Sequence, residues 1–432
     1  MIARYTRPEM ARIWSDDHRF RTWLNVEILV CEALAALGEI PAEAFTQIKE
    51  KANFNEERIL EIEETVKHDV IAFLTNVAEY VGPASRYIHL GMTSSDLLDT
   101  ALACLMREAG LHLLERLSKF KVAVGRRARE FKHTVCIGRS HGIHAEPTTF
   151  GLKLALWYDE IGRGMQRLQN AIDIISAGKI SGSVGTFAHI NPWVESYVCA
   201  KLNLKPAPVS TQIVQRDRHA EYLSALSLIA CSLEKFATEI RNLQRTEILE
   251  AEEPFSKGQK GSSSMPHKRN PITCERVAGL ARVLRANSLA ALENVALWHE
   301  RDITHSSVER IIIPDSTMAL DYMLYKITDV VENLVVYPEN MRRNLEKTQG
   351  LIFSQAVLLA LTKKGVSREE AYKIVQTHAM SVWNSAGDFK SAIHSDAPVR
   401  QWLTPEEIES CFDLNKQLKH VDFIFKRVGV DH

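Results

Sequence analysis

Three stretches of this chain place an apolar residue every three or four positions, and each pattern runs for over twenty residues. Leu154, Tyr158, Ile161, Met165, Leu168, Ile172 and Ile175 form one of them. Tyr222, Leu226, Ile229, Leu233, Phe236, Ile240 and Leu243 form a second; Leu102, Leu105, Ala109, Leu113, Leu117, Phe120 and Val124 form a third. Such steps keep side chains on one face of a helix. A helix of that length extends beyond about 30 Å, at 1.5 Å per residue. Near-heptad spacing suits nearly parallel packing in a bundle. A fourth helix is expected to start after Pro314, with Asp315 or Ser316 as cap, and to stop before Pro338; it carries Leu320, Met323, Ile327, Val331 and Leu334. Strand-like alternation is scarce, so the expected fold class is all-α.

The expected organisation has three parts. Residues 1–92 read as shorter helices ending at the turn Gly91-Met92-Thr93-Ser94-Ser95-Asp96. Residues 93–345 read as the long-helix bundle, interrupted by a loop at 256–271, and residues 346–432 as short helices around Pro398 and Pro405. Helices this long and apolar have more seam than one bundle buries, which points to packing against other subunits. Acidic and basic residues nearly cancel, 54 against 53. The balance suggests neither a nucleic acid nor a membrane surface as partner. The N-terminus lacks the apolar core of a signal peptide, and no uncharged apolar run reaches membrane-spanning length. Seven scattered cysteines, with no Cys-x-x-Cys pair, read as reduced thiols of a cytoplasmic protein rather than disulfides or a zinc ribbon.

Four clusters do not read as core. Gly258 to Pro271 contains two glycines, two prolines and three serines, so the preceding helix cannot continue through it. Its short, hydroxylated and basic residues, Lys268 and Arg269 among them, offer N–H groups, hydroxyls and cations to a polyanionic substrate. A solvated linker would have similar composition but no reason for the ordered run Ser-Met-Pro-His-Lys-Arg-Asn-Pro. Gly138 to Pro147 holds His141 beside a glycine, in a loop leading into a helix, which suits an acid/base. His141 and His144 could ligate a metal, yet zinc needs a third protein ligand that the local sequence does not clearly supply. In Arg86 to Asp96, Thr93, Ser94 and Asp96 fit a helix cap, and a helix start also binds anions. In His299 to Arg310, the residues Arg301, Ser306 and Arg310 make a phosphate or carboxylate cradle if folded together, and a solvated charged turn if not.

Ser262 to Asn270 fulfils Ser-Ser-x-Met-Pro-x-Lys-x-Asn at every fixed position. The chain thereby resembles the fumarase/aspartase superfamily. The resemblance implies a small N-terminal domain, a central bundle of long helices, a small C-terminal domain, and a homotetramer whose active sites are shared between subunits. Met1 to Tyr5, Lys67-His68-Asp69, Ile88 to Asp96, Gly138 to Gly151, Ser210 to His219 and Leu297 to Asp302 make the chain similar to one branch, the adenylosuccinate lyase family. That likeness implies elimination of fumarate from nucleotide substrates without a metal or an organic cofactor. By the same resemblance His141 is the general acid, Ser262 the general base, and Glu275 the carboxylate paired with the histidine. Arg4, Tyr5, Ser306 and Arg310 are implied phosphate contacts. Thr93, Ser94, Gln212, Ser263, Lys268 and Asn270 are implied contacts to the dicarboxylate and its surroundings. Lys67, His68, Asp69 and His89 line the implied site, with Arg269 and Arg301 among its cations. Arg276 stands where many bacterial members have Asn, and Ser264 fills the free position of the signature.

These residue types suit the reaction. Removing a proton beside a carboxylate builds charge on oxygen, and donors already in place there lower the barrier most. Serine is a poor base unless its alkoxide is stabilised; loop closure, permitted by Gly258 and Gly261, would surround Ser262 with N–H groups and Lys268. Histidine titrates near neutrality, as protonating a leaving nitrogen requires. The rival readings are a different lyase of the superfamily, such as argininosuccinate lyase or fumarase, a noncatalytic helical scaffold, and a metal-dependent hydrolase using His141 and His144. Phosphate dependence, loss of function at His141 or Ser262, and insensitivity to chelator separate the first reading from these.

Overall fold

A computed structural model describes residues 1–255, 258–385 and 387–431, and the first two positions of the expected 256–271 loop lie outside the described residues. All three apolar seams are helices, Ser94–Glu130, Phe150–Ile175 and Asp217–Leu243. In the last, every seam residue from Tyr222 to Leu243 is buried. Two further long helices follow, Ile272–Glu293 and Thr304–Glu332.

The last of these corrects the expected start after Pro314. Pro314 lies inside the helix, which begins ten residues earlier. Asp302 is the reason: Oδ1 accepts the Thr304 N–H at 2.8 Å and Oδ2 accepts that of Trp298 at 2.7 Å, so the carboxylate caps a start that carries no proline. Proline removes one backbone donor in mid-helix. The Thr317 hydroxyl, one turn on, lies 3.2 and 3.0 Å from the Ile313 and Pro314 carbonyls, to which it can donate.

The second departure is a β-hairpin. Val135–Ser140 pairs antiparallel with Ile143–Thr149, with a register shift at Gly138 opposite Ala145 and Glu146. The expected loop is thus two strands joined by a two-residue turn. Four other strands of two residues each complete the β content among the described residues.

The chain divides into two compact units, each built from three stretches: residues 1–120, 161–235 and 276–326 in one, and 121–160, 236–275 and 327–432 in the other. In the first unit Phe20, Trp23, Phe54 and Phe73 form an aromatic cluster, with Phe20 and Phe73 stacked at 5.8 Å. Burying each such ring contributes about 2–3 kcal/mol. In the second unit Trp157 stacks on Phe236 at 4.7 Å, and Phe389, Ile393, Val399 and Ile408 centre a C-terminal core.

Candidate active-site residues

The first unit holds most of the residues expected to bind. Thr93 precedes the Ser94–Glu130 helix, and its N–H donates to Asp96 Oδ2 at 2.9 Å, half of a capping box. The Thr93 and Ser94 hydroxyls make no hydrogen bond among the described residues. His68 caps the Asp69–Val81 helix through Nδ1, which accepts the Ile71 N–H at 3.4 Å. Asp69 pairs with Arg310. Burial opposes the Asp69 charge, but Arg310 outweighs it and holds the carboxyl below its usual range. Arg301 Nη1 donates to Gln212 Oε1 at 3.3 Å, and Thr211 Oγ1 donates to the Glu300 carbonyl at 2.6 Å. Tyr5 meets Tyr322 edge-on at 5.2 Å, while Arg4 is exposed. Arg276 is half-buried and makes no ion pair among the described residues. His89 pairs through Nδ1 with Glu27 Oε1 at 2.6 Å. Burial works against the charged imidazole, yet the Glu27 carboxylate prevails and raises the pKa.

A cavity of about 220 Å³ lies against the Ser94–Glu130 and Thr304–Glu332 helices of this unit. Trp14, Trp23, Leu98, Leu102, Leu105 and Pro314 supply its apolar lining, and Ser95, Arg301, Ser306 and Arg310 its polar groups. Arg301, Ser306 and Arg310 therefore do fold together, on and just before one helix, as a cradle requires. Below them Arg216, 3% exposed, donates to both Asp99 oxygens at 2.7 and 2.8 Å and to both Glu309 oxygens at 3.1 and 3.2 Å. Burial raises both carboxyls. Asp99, closer to the guanidinium, is brought below its ordinary value, whereas Glu309 is pushed up to about 7. Burial, then Arg216, pushes the neighbouring His219 down to about 3 and His305 down to about 4. His305 Nδ1 and Arg301 Nε are buried without hydrogen-bond partners among the described residues.

The second unit holds the residues expected to react. His141 and Gly142 form the hairpin turn, with φ of 55° and 79°. Two positive φ values define a type I′ turn, so the histidine sits where Asn or Asp is usual, at a cost on the order of 1 kcal/mol. Lys67 and His89, at 53° and 62°, share this left-handed backbone. The imidazole of His141 is exposed and has no ion pair to Glu275, which is itself exposed on the Ile272–Glu293 helix. The expected His141–Glu275 pairing is therefore not made within this chain.

The Ser262 loop is closed on itself. Ser262 Oγ accepts the N–H groups of Ser264 and Met265 at 3.2 and 3.1 Å, and Asn270 Nδ2 donates to the Gly261 carbonyl at 2.8 Å. The expected N–H groups surround the hydroxyl, whereas Lys268 is exposed and not hydrogen-bonded to it. Gly261 also differs from expectation. A Cβ there would lie 2.0 Å from the Lys268 carbonyl oxygen, so this glycine permits close approach rather than swing. Ser263 and Arg269 are exposed, and Arg269 pairs with Glu252 at 2.8 Å.

Sequence reasoning passed over the acids beneath this loop. Glu250, wholly buried, accepts from Arg139 at 2.6 and 3.1 Å and from Asn344 at 2.8 Å, two residues ahead of His141 in the hairpin. Glu253 accepts the Thr273 and Cys274 N–H groups at 3.1 Å, capping the helix that carries Glu275. Three carboxylates in four residues, Glu250 to Glu253, were the available signal. Among the described residues no three His, Cys, Asp or Glu side chains converge as a metal site, and His141 and His144 belong to no such group. No helix there is long and apolar enough to cross a membrane.

Residues 3–285 match the model of a family described as lyase, and residues 350–428 match the adenylosuccinate lyase C-terminus. The chain is 55% identical to the adenylosuccinate lyase of Bacillus subtilis (strain 168) and 57% identical to that of Synechocystis sp., with all of each chain covered. Among solved structures, a fumarate lyase from Mesorhizobium sp. BNC1 superposes with a TM-score of 0.90 at 26% identity, covering 99% of both chains. A 3-carboxy-cis,cis-muconate lactonizing enzyme from Pseudomonas putida gives 0.88 at 27% identity, over 99% of this chain and 97% of that one.

Proposed function

Since the chain belongs to the adenylosuccinate lyase family, we propose that Ser262 and His141 carry out that family's β-elimination here, splitting N6-succinyl-AMP into AMP and fumarate. The same step on succinylaminoimidazole-carboxamide ribotide would give the carboxamide ribotide and fumarate. The observation that carries the reading is the pair of N–H groups aimed at Ser262 Oγ. Hydrogen bonds to the charged form favour it, so these donors make an alkoxide base more accessible. Ser262 takes the β-proton, negative charge grows on the adjacent carboxylate, and cationic and N–H donors of the loop meet it. His141, at the tip of a strained turn with an unencumbered ring, protonates the departing nitrogen. Glu275 would orient it from another subunit.

Arg4, Tyr5, Ser306 and Arg310 would hold the phosphate. Thr93, Ser94, Gln212, Ser263, Lys268 and Asn270 would hold the dicarboxylate, with Lys67, His68, Asp69, His89, Arg269, Arg276 and Arg301 around them. We place these in a homotetramer with sites shared between subunits, in the cytoplasm, each chain organised as 1–92, 93–345 and 346–432. Exposed apolar side chains on the long helices, such as Val122, Leu156, Leu228 and Leu289, support that assembly. The direct test mixes the protein with succinyl-AMP and follows fumarate and AMP, with and without chelator. Equal release in both arms is expected, and no fumarate in either would refute the reading.

A further inference from the structure

The first unit contains an ion pair that none of the binding or proton-transfer roles uses. Lys179 and Asp96 are both wholly buried and bonded to each other. The lysine ammonium has three N–H groups. One goes to Asp96 Oδ1, one to the Gly182 carbonyl at 3.1 Å and one to the Gln212 carbonyl at 3.0 Å. The Asp96 carboxylate accepts three backbone N–H groups besides: Ser181 at 3.1 Å on Oδ1, and Thr93 at 2.9 Å and Gly182 at 3.1 Å on Oδ2. Thr100 fixes Lys179 itself, exchanging hydrogen bonds with its N–H and carbonyl at 3.1 and 2.9 Å.

A buried ion pair is a poor device for stability alone, since well-packed apolar residues of the same volume often do as well or better. What apolar residues cannot do is bond polar backbone. This pair bonds the backbone of three separate segments, at Thr93, at Ser181–Gly182 and at Gln212. Two of those segments carry contacts assigned to the dicarboxylate. The Thr93 amide is held by Asp96, and among the described residues its hydroxyl and that of Ser94 have no hydrogen-bond partner. The Gln212 carbonyl is held by Lys179, while its side chain reaches Arg301. We infer that Lys179 and Asp96 are positioning residues that set the spacing between the Thr93–Ser94 hydroxyls and the Gln212 amide, and so tune affinity for the fumarate half of the substrate. The inference rests on the assignment of Thr93, Ser94 and Gln212 to that half.

The test separates the two halves by product inhibition. In the Lys179→Met protein, the inhibition constant for fumarate should rise at least about tenfold, the scale of a lost charge-assisted hydrogen-bond set, while that for AMP stays within about twofold. A structural role alone would move both constants together, or neither, in the folded fraction; either outcome would overturn the inference. Gln212→Ala, measured alongside, distinguishes the levels. If it leaves fumarate inhibition unchanged, the substrate assignment fails and the positioning role with it. If it weakens fumarate but Lys179→Met does not, the positioning role fails alone. Should Lys179→Met not fold, hydrogen exchange in the native protein decides. The Thr93, Ser181 and Gly182 amides should exchange as slowly as helix interiors, and exchange within seconds would overturn the inference.

Discussion

The two units treat their charged groups in opposite ways. In the first, several charged groups are paired away from solvent: Arg216 with Asp99 and Glu309, Lys179 with Asp96, His89 with Glu27. In the second, His141, Glu275 and Lys268 are exposed without ion pairs among the described residues, and the buried carboxylates Glu250 and Glu252 pair with Arg139 and Arg269. The difference follows from the work proposed for each. Recognition of a constant anion gains from donors fixed beforehand, because no reorganisation then opposes binding. A group that must gain or lose a proton each turnover is held here through its backbone turn, and the proposed assembly leaves its counter-charge to another subunit.

The contrast can be broken by substitution, and the largest effect should fall in the second unit. Ser262→Ala and His141→Gln are each expected to lower kcat by about 10²–10⁴-fold with smaller changes in KM, the scale of a lost general acid or base. Near-normal turnover of either variant in a fumarate-release assay would remove that residue from the mechanism. Arg216→Met in the first unit should act on stability instead. It strands two buried carboxylates, and breaking such a cluster costs about 3–5 kcal/mol. Denaturant titration measures it, and a loss below about 1 kcal/mol would show that the cluster is not buried as described.

Two smaller effects sharpen the comparison. Arg310→Ala should raise KM about tenfold and leave kcat within a few-fold, because a phosphate contact lies away from the bond being broken; a pure kcat effect would contradict the phosphate role. His219 supplies a pH signature. Its folded pKa, about 3, lies below the ordinary value of 6.5, so the stability linked to it is complete above 6.5 and is lost as pH falls. Between about pH 4 and 6 the unfolded chain binds a proton that the folded chain refuses, a slope of about 1.4 kcal/mol per pH unit. His219→Gln should flatten the stability–pH curve by that amount across the window, with His305 left in place as an internal control.

How much of this was legible in the sequence depends on range. The apolar seams are local and periodic, so the three long helices were readable from spacing alone. The signature loop was readable as a loop because its prolines and glycines forbid anything else. The helix through Pro314 was misread because a proline normally ends the pattern, and the rescuing cap at Asp302 lies twelve positions earlier. The hairpin was missed since His141-Gly142 is not a usual turn pair and Val135-Cys136-Ile137 does not alternate. The buried ion pairs were invisible for another reason: Asp96 meets Lys179, and Arg216 meets Glu309, across more than eighty residues. Only folding brings such partners together. Asp96 could be read only as a helix cap, and Asp99 only as a polar residue in the helix that follows.

The close approach of the Lys268 carbonyl to Gly261 has a practical corollary. The glycine's missing side chain is what lets the Lys268 carbonyl come near, and a single methyl would occupy that spot. Gly261→Ala would therefore act as a doorstop, propping the serine loop away from its closed shape while the cavity of the other unit keeps all its donors. Such a protein should still capture the nucleotide yet stall before chemistry, which makes it a natural vehicle for trapping an intact substrate for crystallography.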